Sequence, residues 1–436
     1  MIGIVGGGIS GLFLLHLLRE KGLEAVLLEA SPVPGGVMRS RRLQSPNGPV
    51  TVDLGPQRMR LTAGIAEIVE RLDLTPSMIE ARSGISFTMY RRGRLHPAPT
   101  SLGEAMTTGL VSWTGKLRAL ADPMTSPPGP TESVADALRR KLGPEIYERL
   151  AGPLLGGLYA SDPEEMEARH TLLPALSRTG ARRSLLLALL RTRRWDRVPM
   201  VSFGQGLAAL PEALAERHQE CVHLDTPVVS LEKVPGGLAL VTPGGSIRVK
   251  EAVLTLPAPA AARITESFAP RLAKSLATLR YNPLAVVPLV VPDSHPPPEI
   301  GSGYKLTLDE EGATRGVTAH DALFGRPGLY TAFLGGRGRE EVVERSDEEI
   351  MGIARSDFRT VTGVDTKPLL VHRTWMPAWD RSWRALADLD PPIGLRICSA
   401  YMSRPGIPGR LEEARRIVQA ATSEDSPPLQ SSITPS

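Results

Sequence analysis

Aromatic side chains make up only 4% of the 436 residues, and there are two cysteines, Cys221 and Cys398. No apolar run approaches the length of a membrane span, and neither sign of charge dominates. Each shortage excludes something. Two cysteines cannot staple a secreted scaffold, so nothing calls for an oxidising compartment and a cytoplasmic setting is expected. A transmembrane helix needs about 20 consecutive apolar residues, so none is expected. With few aromatics, the core has to be built mostly from Leu, Val, Ile and Ala. The 51 Lys and Arg against 47 Asp and Glu leave a net charge of +4, too small a bias for a nucleic-acid partner. Metal-ligand spacing is thin as well. His218, Cys221 and His223 lie close together but lack a second cluster, so a solvated loop is expected there and no metal. The first strand begins at once after Met1, so no signal peptide is expected.

What is present is a soluble globular composition, 42% hydrophobic with a mean hydropathy of −0.08. The length suggests two or three domains. The 42 Gly and 40 Pro are spread along the chain, which indicates many turns. Only residues 423–436, rich in Ser, Pro and Thr, read as a flexible tail.

The informative segment opens the chain. The apolar run Ile2–Val5 is followed by Gly6, Gly7, Gly8, Ile9, Ser10 and Gly11, then by an apolar-periodic stretch to Lys21 with Gly22 as its stop. A second apolar run ends in Glu29. This is strand, glycine turn, helix, strand and ribose acid, the dinucleotide-binding pattern. Gly6 permits the tight turn, Gly8 lets backbone approach a pyrophosphate, and Gly11 lets helix and strand pack closely. The free N–H groups of the helix N-terminus face the phosphates. A carboxylate at Glu29 suits ribose hydroxyls and disfavours a 2′-phosphate. Ala30 continues into a second glycine pair, Gly35-Gly36-Val37, and a further turn follows at Gly55-Pro56-Gln57-Arg58. Together these favour FAD over NAD. The expected fold is α/β, a Rossmann-type FAD-binding domain with a mixed-sheet substrate domain and a helical insertion. We expect the FAD domain over 1–82, 199–266 and 391–422, the helical insertion over 96–198, and the substrate domain over 83–95 and 267–390.

Beyond this fingerprint the sequence resembles the protoporphyrinogen oxidase family within the amine-oxidase-like flavoproteins. The likeness runs from Met1 to about Ala421. It rests on Asp53-Leu54-Gly55-Pro56 with Arg60, and on the segment Leu154–Glu165 with Arg169 and Pro174. Ser202–Pro211, Phe333–Gly336 and Trp375–Trp379 also carry it. The Gly157-Leu158-Tyr159-Ala160 part is the most family-specific.

The resemblance implies oxidation of a porphyrinogen, protoporphyrinogen IX or coproporphyrinogen III, to the porphyrin with O2, giving H2O2, in haem biosynthesis. It implies that Gly6–Gly11 hold the pyrophosphate, Glu29 the ribose, and the backbone of Val228 the adenine. Gly55–Arg58 would lie along the flavin, with Ala400, Pro405, Gly406 and Ile407 facing it. Gly157, Lys305 and Leu306 would meet the substrate. No side chain is required as a catalytic base, and none is assigned. Two positions depart from the family: Ser399 stands where a glycine is usual, and Ser302 where some members carry a bulky aromatic. The arginine that some members use to pair a propionate has no obvious counterpart, and Arg91, Arg92 and Lys305 are the substitutes.

An amine oxidase, a carotenoid-type desaturase and a flavin- or porphyrin-binding protein without turnover are the alternative readings. A homodimer is left open. Between Arg178 and Arg197 there are seven arginines against one acid. The stretch 182–195 reads either as a helix packed in its own domain or as a peripheral contact with an anionic membrane surface.

Overall fold

The computed structural model describes residues 1–181, 183–192, 198–292 and 299–422. Its first elements follow from the opening motif: strand β1 (Ile2–Val5), helix α1 (Ile9–Glu20) and strand β2 (Ala25–Leu28). β1 and β2 are central strands of a five-stranded parallel sheet. Its order is Val222–His223, β2, β1, Glu251–Leu254, Leu395–Ile397. Short unbroken Val, Ile and Leu runs are what a sheet covered on both faces requires. Ile4 sits between Leu27 and Val253 in register, and all three are essentially inaccessible.

One face of this sheet is covered by α1 and the helix Ile407–Thr422. Leu12, Phe13, Leu14 and Leu15 of α1 are all fully buried, so α1 is apolar on every side, as an interior helix must be. Each such side chain contributes about 1.5–3 kcal/mol. The other face carries an antiparallel meander of Ser230–Val234, Gly237–Thr242 and Gly245–Val249. Gly3 lets the meander approach: a Cβ there would lie 2.7 Å from Leu240 Cδ1 and 2.9 Å from Val249 Cγ1. The resulting layers are meander, parallel sheet and helices, with cores on both sides of the sheet.

A second, eight-stranded mixed sheet is built around Tyr281–Val290 and Leu329–Gly335. It continues through Thr314–Ala319 and Gly303–Leu306 to Thr88–Arg91 and Arg94–Pro97. The helix Asp347–Thr362 packs on one of its faces through Ile350, Ala354 and Phe358. That helix starts with a reciprocal capping box between Ser346 and Glu349, which satisfies two orphan donors.

Between Pro97 and Met200 the described part of the chain is mostly helical. It is locked internally by a fully buried ion pair, Lys141 Nζ to Asp122 Oδ1 at 2.8 Å. Asp122 Oδ2 also accepts from Ser184 Oγ at 2.6 Å and from the Leu186 N–H at 2.9 Å. Asp122 thereby caps the helix Leu185–Thr192. Trp113, Leu117, Leu120 and Met124, spaced at helical intervals, are each more than half exposed. Leu189 is 66% exposed while its neighbour Ala188 is buried. Of the basic stretch 182–195, residues 182 and 193–195 lie outside the described residues, as does the tail 423–436. Among the described residues, no helix is long and apolar enough to cross a membrane.

One expectation is corrected. His218 does not sit in a solvated loop: it is buried at the C-terminus of Ala209–Arg217, its Nε2 3.0 Å from Nδ1 of the equally buried His16 in α1. The surrounding polar residues disguised a packing position, because the partner ring lies 202 residues away in sequence.

Candidate active site

The glycine turn is held from below. Thr255 Oγ1 donates to the carbonyls of Val5 (2.9 Å) and Gly6 (2.8 Å). Gly6 has φ +113°, a conformation open to glycine at little cost. Gly11 is a packing glycine: a Cβ there would collide with the Gly6 carbonyl oxygen and lie 2.9 Å from Thr255 Oγ1. Gly8 is different. It has φ −69° and ψ 172°, it caps α1 without a side-chain bond, and a Cβ on it would meet no protein atom within 4 Å. Ile9 and Ser10 are buried in the first helical turn. A first helical turn without a side-chain cap, beside a glycine whose Cβ position is open, is the arrangement that suits an anion.

Glu29, at the end of β2, accepts from the backbone N–H of Gly7 and, at 2.8 Å, from that of Ser31. Two backbone donors fix the carboxylate and leave lone pairs for ribose hydroxyls. The next residue, Ala30, is exposed. Thr226 donates to the Glu29 carbonyl at 2.8 Å, and Val229 donates to Val241 at 2.8 Å. Val228 is thus strung between Glu29 and the meander.

The second glycine pair stacks on the first. The Gly35 N–H donates to the Gly7 carbonyl at 2.8 Å, and a Cβ on Gly36 would stand 3.2 Å from Gly8 Cα. Gly55 lets its backbone touch that loop, since a Cβ there would overlap the Val37 carbonyl oxygen. Val37 itself is 54% exposed. Beyond Pro56, Gln57 turns inward and donates to the carbonyls of Asp53 (3.0 Å) and Gly55 (2.7 Å). Arg58 is solvent-accessible, yet desolvation, and then the charge of Arg60, hold its guanidinium below its ordinary value.

Asp53 was not legible as a site residue from its sequence context. Its buried carboxylate accepts from Ser40 Oγ (2.6 Å), the Leu207 N–H (2.7 Å) and Arg326 Nη1 (3.3 Å). It ties three separate segments beneath Gly55–Arg58. Burial pushes its carboxyl above the usual range, and its hydrogen bonds oppose that rise.

Ser399, the departure near the C-terminal helix, is accommodated. It is extended at φ −125°, and its buried hydroxyl donates to the Leu256 carbonyl at 2.6 Å. Nothing in that backbone requires glycine. Arg410 donates to the carbonyl of Ala400 at 2.8 Å. Gly406, after the exposed Pro405, turns at φ +89° into Ile407, the first residue of the final helix.

The helix Gly152–Tyr159 brings Gly157 against the second sheet. A methyl added at Gly157 would collide with Lys305 Nζ. The segment is riveted there: Asn282 Nδ2 donates to the Ala160 carbonyl at 2.9 Å, and Arg337 pairs with Glu165. Lys305 and Leu306 are neighbours on one strand, so they face opposite sides. Lys305 looks toward Gly157, whereas Leu306, like Tyr304, packs in the core beneath the helix Asp347–Thr362. Leu306 is thus part of the sheet's packing and apart from Gly157 and Lys305. Arg91 is also removed from the site, paired with Asp309 at 2.9 Å. Arg92 is an exposed turn residue at φ 48°.

A Rossmann-type sheet with an uncapped glycine turn and a carboxylate, Glu29, at the end of its second strand defines a dinucleotide-binding protein. The model of the flavin containing amine oxidoreductase family matches residues 9–386, and the chain belongs to that family. FAD is its cofactor. Among curated relatives, the coproporphyrinogen III oxidase of Bacillus subtilis (strain 168) is 26% identical over 96% of this chain and 97% of its own. The chloroplastic protoporphyrinogen oxidase of Oryza sativa subsp. japonica is 29% identical over 82% of this chain and 73% of its own. A crystal structure from Exiguobacterium sp. 255-15, assigned provisionally as a protoporphyrinogen oxidase, superposes with a TM-score of 0.77 at 22% identity. It covers 96% of this chain and 98% of that one.

Proposed function

We propose that this flavoprotein oxidises a porphyrinogen, protoporphyrinogen IX or coproporphyrinogen III, to its porphyrin in haem biosynthesis, with O2 as acceptor and H2O2 as product. The observation that carries the reading is the placement of the family-specific segment. It sets Gly157, a residue without a side chain, against the second sheet at Lys305. The names of the porphyrinogen oxidase relatives support the same substrate class.

In this reading Gly6–Gly11 receive the pyrophosphate, Glu29 and Val228 the adenosine half, and Gly35–Val37 with Gly55–Arg58 the riboflavin half. Ala400 and Pro405–Ile407 close the flavin's other side. When bound, FAD supplies the acceptor for hydride from a bridging carbon of the macrocycle. The chain's own part is to hold the macrocycle in register and keep water out. No side chain is assigned as the base. Porphyrin fluorescence, followed aerobically with each porphyrinogen, tests the reading. A rise faster than autoxidation is expected, and its absence in FAD-loaded protein would exclude the reaction.

A peripheral membrane contact is part of the same proposal. Leu187, Leu189 and Leu190 are exposed beside Arg191, and this helix packs against the turn that carries Met124. Apolar residues rimmed by arginine suit an anionic surface. Sedimentation with anionic vesicles is expected to carry the protein down, and an Arg191→Gln, Leu189→Ser variant is expected to stay in solution.

A further inference from the structure

One arginine from the second sheet reaches across to the turn Gly55–Arg58. Arg326 lies in the loop between the helix His320–Phe324 and the strand Leu329–Gly335. Its Nη1 pairs with Asp53 Oδ2 at 3.3 Å, and its Nη2 donates to Ser202 Oγ at 3.1 Å and to the Phe203 carbonyl at 2.8 Å. Asp53 stands at the entry of the turn. Ser202 and Phe203 belong to the strand Met200–Phe203, which pairs with Met59–Arg60 at the exit of the turn. One guanidinium therefore grips both feet of the turn. The pair is buried, with Arg326 12% and Asp53 1% exposed, so each charge depends on the other rather than on water. The loop that carries Arg326 is braced. The Leu323 carbonyl accepts from the Arg82 N–H at 2.9 Å. Gly328, at φ +63°, is packed so closely that a Cβ would lie 2.5 Å from the Val291 carbonyl oxygen and 2.9 Å from Asn47 Nδ2.

Resting on the placement of Gly55–Arg58 along the flavin, we propose that Arg326 is a positioning residue for FAD, acting through Asp53 and the strand Met200–Phe203. The cofactor site is completed from the second sheet, and the same contact sets how that sheet sits against the turn. Removing the guanidinium leaves the buried Asp53 without its cation. Ser40 and Leu207 bind only Oδ1, so Oδ2 loses its partner and the entry of the turn is free to reorient toward water. The grip on Ser202 and Phe203 at the exit goes with it. FAD binding must then order residues 54–58, which the intact clamp already holds. Fixing the backbone of one residue corresponds to roughly five- to thirtyfold in an equilibrium constant.

The test compares wild type, Arg326→Met, Arg326→Lys, Asp53→Asn, the Arg326→Met, Asp53→Asn double variant and the control Arg373→Met. The control removes an arginine of the same sheet that is bonded to Val343, Arg345 and Asp347. Hydrogen exchange of the segment 54–58 is measured with and without FAD, and FAD and ADP are titrated into each apoprotein. Arg326→Met is expected to exchange 54–58 faster than wild type. It is expected to bind FAD about five- to thirtyfold more weakly, with ADP, which lacks the flavin half, bound as by wild type. Arg326→Lys keeps the charge without the fork and is expected to recover part of the loss. The double variant is expected to lose no more than Arg326→Met, because both changes break one pair. Arg373→Met is expected to match wild type in exchange and in FAD affinity. Wild-type exchange at 54–58, or an unchanged Kd for FAD, in Arg326→Met overturns the proposal. Equal losses for FAD and ADP also overturn it, because the whole fold rather than the turn would have loosened. Additive losses in the double variant overturn the action through Asp53. Should Arg326→Met fail to fold, Arg326→Lys and Asp53→Asn decide by the same comparisons. A wild-type segment 54–58 that FAD does not protect refutes the placement of the turn at the flavin, and the cofactor role of Arg326 falls with it. That outcome is read in wild type alone and is distinct from the others.

Discussion

Gly8 and Gly11 belong to one motif, and the structure assigns them opposite physical jobs, which a pair of alanine substitutions separates. At Gly11 an added methyl meets the Gly6 carbonyl, which Thr255 Oγ1 already holds at 2.8 Å. Neither a rotamer change nor a loop shift relieves that contact. Overpacking of this kind costs about 1–3 kcal/mol, and it falls on the folded protein whether FAD is present or not. At Gly8 the methyl meets no protein atom within 4 Å, and φ −69° is compatible with alanine. Apoprotein stability is expected to stay level or to rise by about 0.4–1 kcal/mol, because the unfolded chain loses freedom. The same methyl occupies the space proposed for the pyrophosphate, so about 1–3 kcal/mol is lost from FAD binding, roughly five- to 150-fold in Kd. Denaturant unfolding of the apoproteins and fluorescence titration with FAD measure the two quantities separately. Gly8→Ala binding FAD as wild type does would refute the phosphate position. Gly11→Ala apoprotein as stable as wild type would refute the packing account.

Three further outcomes are expected. Burial raises the Asp122 carboxyl, but the bonds from Lys141, Ser184 and Leu186 outweigh it and hold it below the ordinary range. That stability is present above the unfolded carboxyl value and is lost as pH falls through the folded one. Lys141→Met leaves a buried carboxylate unpaired and should cost about 3–5 kcal/mol by denaturant unfolding. Desolvation holds His218 down at about 4, with the charge of His16 adding to the shift. Protonation therefore favours the unfolded chain, and stability should drop as pH falls from about 6.5 toward 4. His218→Gln should flatten that slope in thermal melts. Lys305, which desolvation and then Arg315 and Arg58 push down to about 8, is charged below that pH and neutral above it. If Lys305 meets a substrate carboxylate, as the resemblance implies, KM for a porphyrinogen diacid climbs above pH 8, and a pH-independent KM would count against that contact.

The opening motif was legible because each requirement is local. The turn, the helix and the acid fall within thirty or so residues, and each glycine answers one constraint. What escaped was long-range. Asp53 reads as one residue of a turn until Leu207 and Arg326 arrive from distant segments. His218 reads as polar surface until His16 packs against it. Lys305 and Leu306 were expected at one site from the resemblance, although a strand sends alternate side chains to opposite faces. Sorting them needed knowledge of which face the helix Asp347–Thr362 covers.

The arrangement of the first sheet has a consequence for the chain as it is made. β1 and α1 are made far earlier than their neighbours Glu251–Leu254 and Leu395–Ile397 and than the helix Ile407–Thr422 that covers α1. At about 5–20 residues per second, the nucleotide-binding turn waits roughly 20–80 s for the segment that shields its helix. During that time the bare apolar side of α1 is a ligand for chaperones, and a ribosome that stops short of residue 407 releases a chain whose cofactor site is spelled out but has nothing to close it.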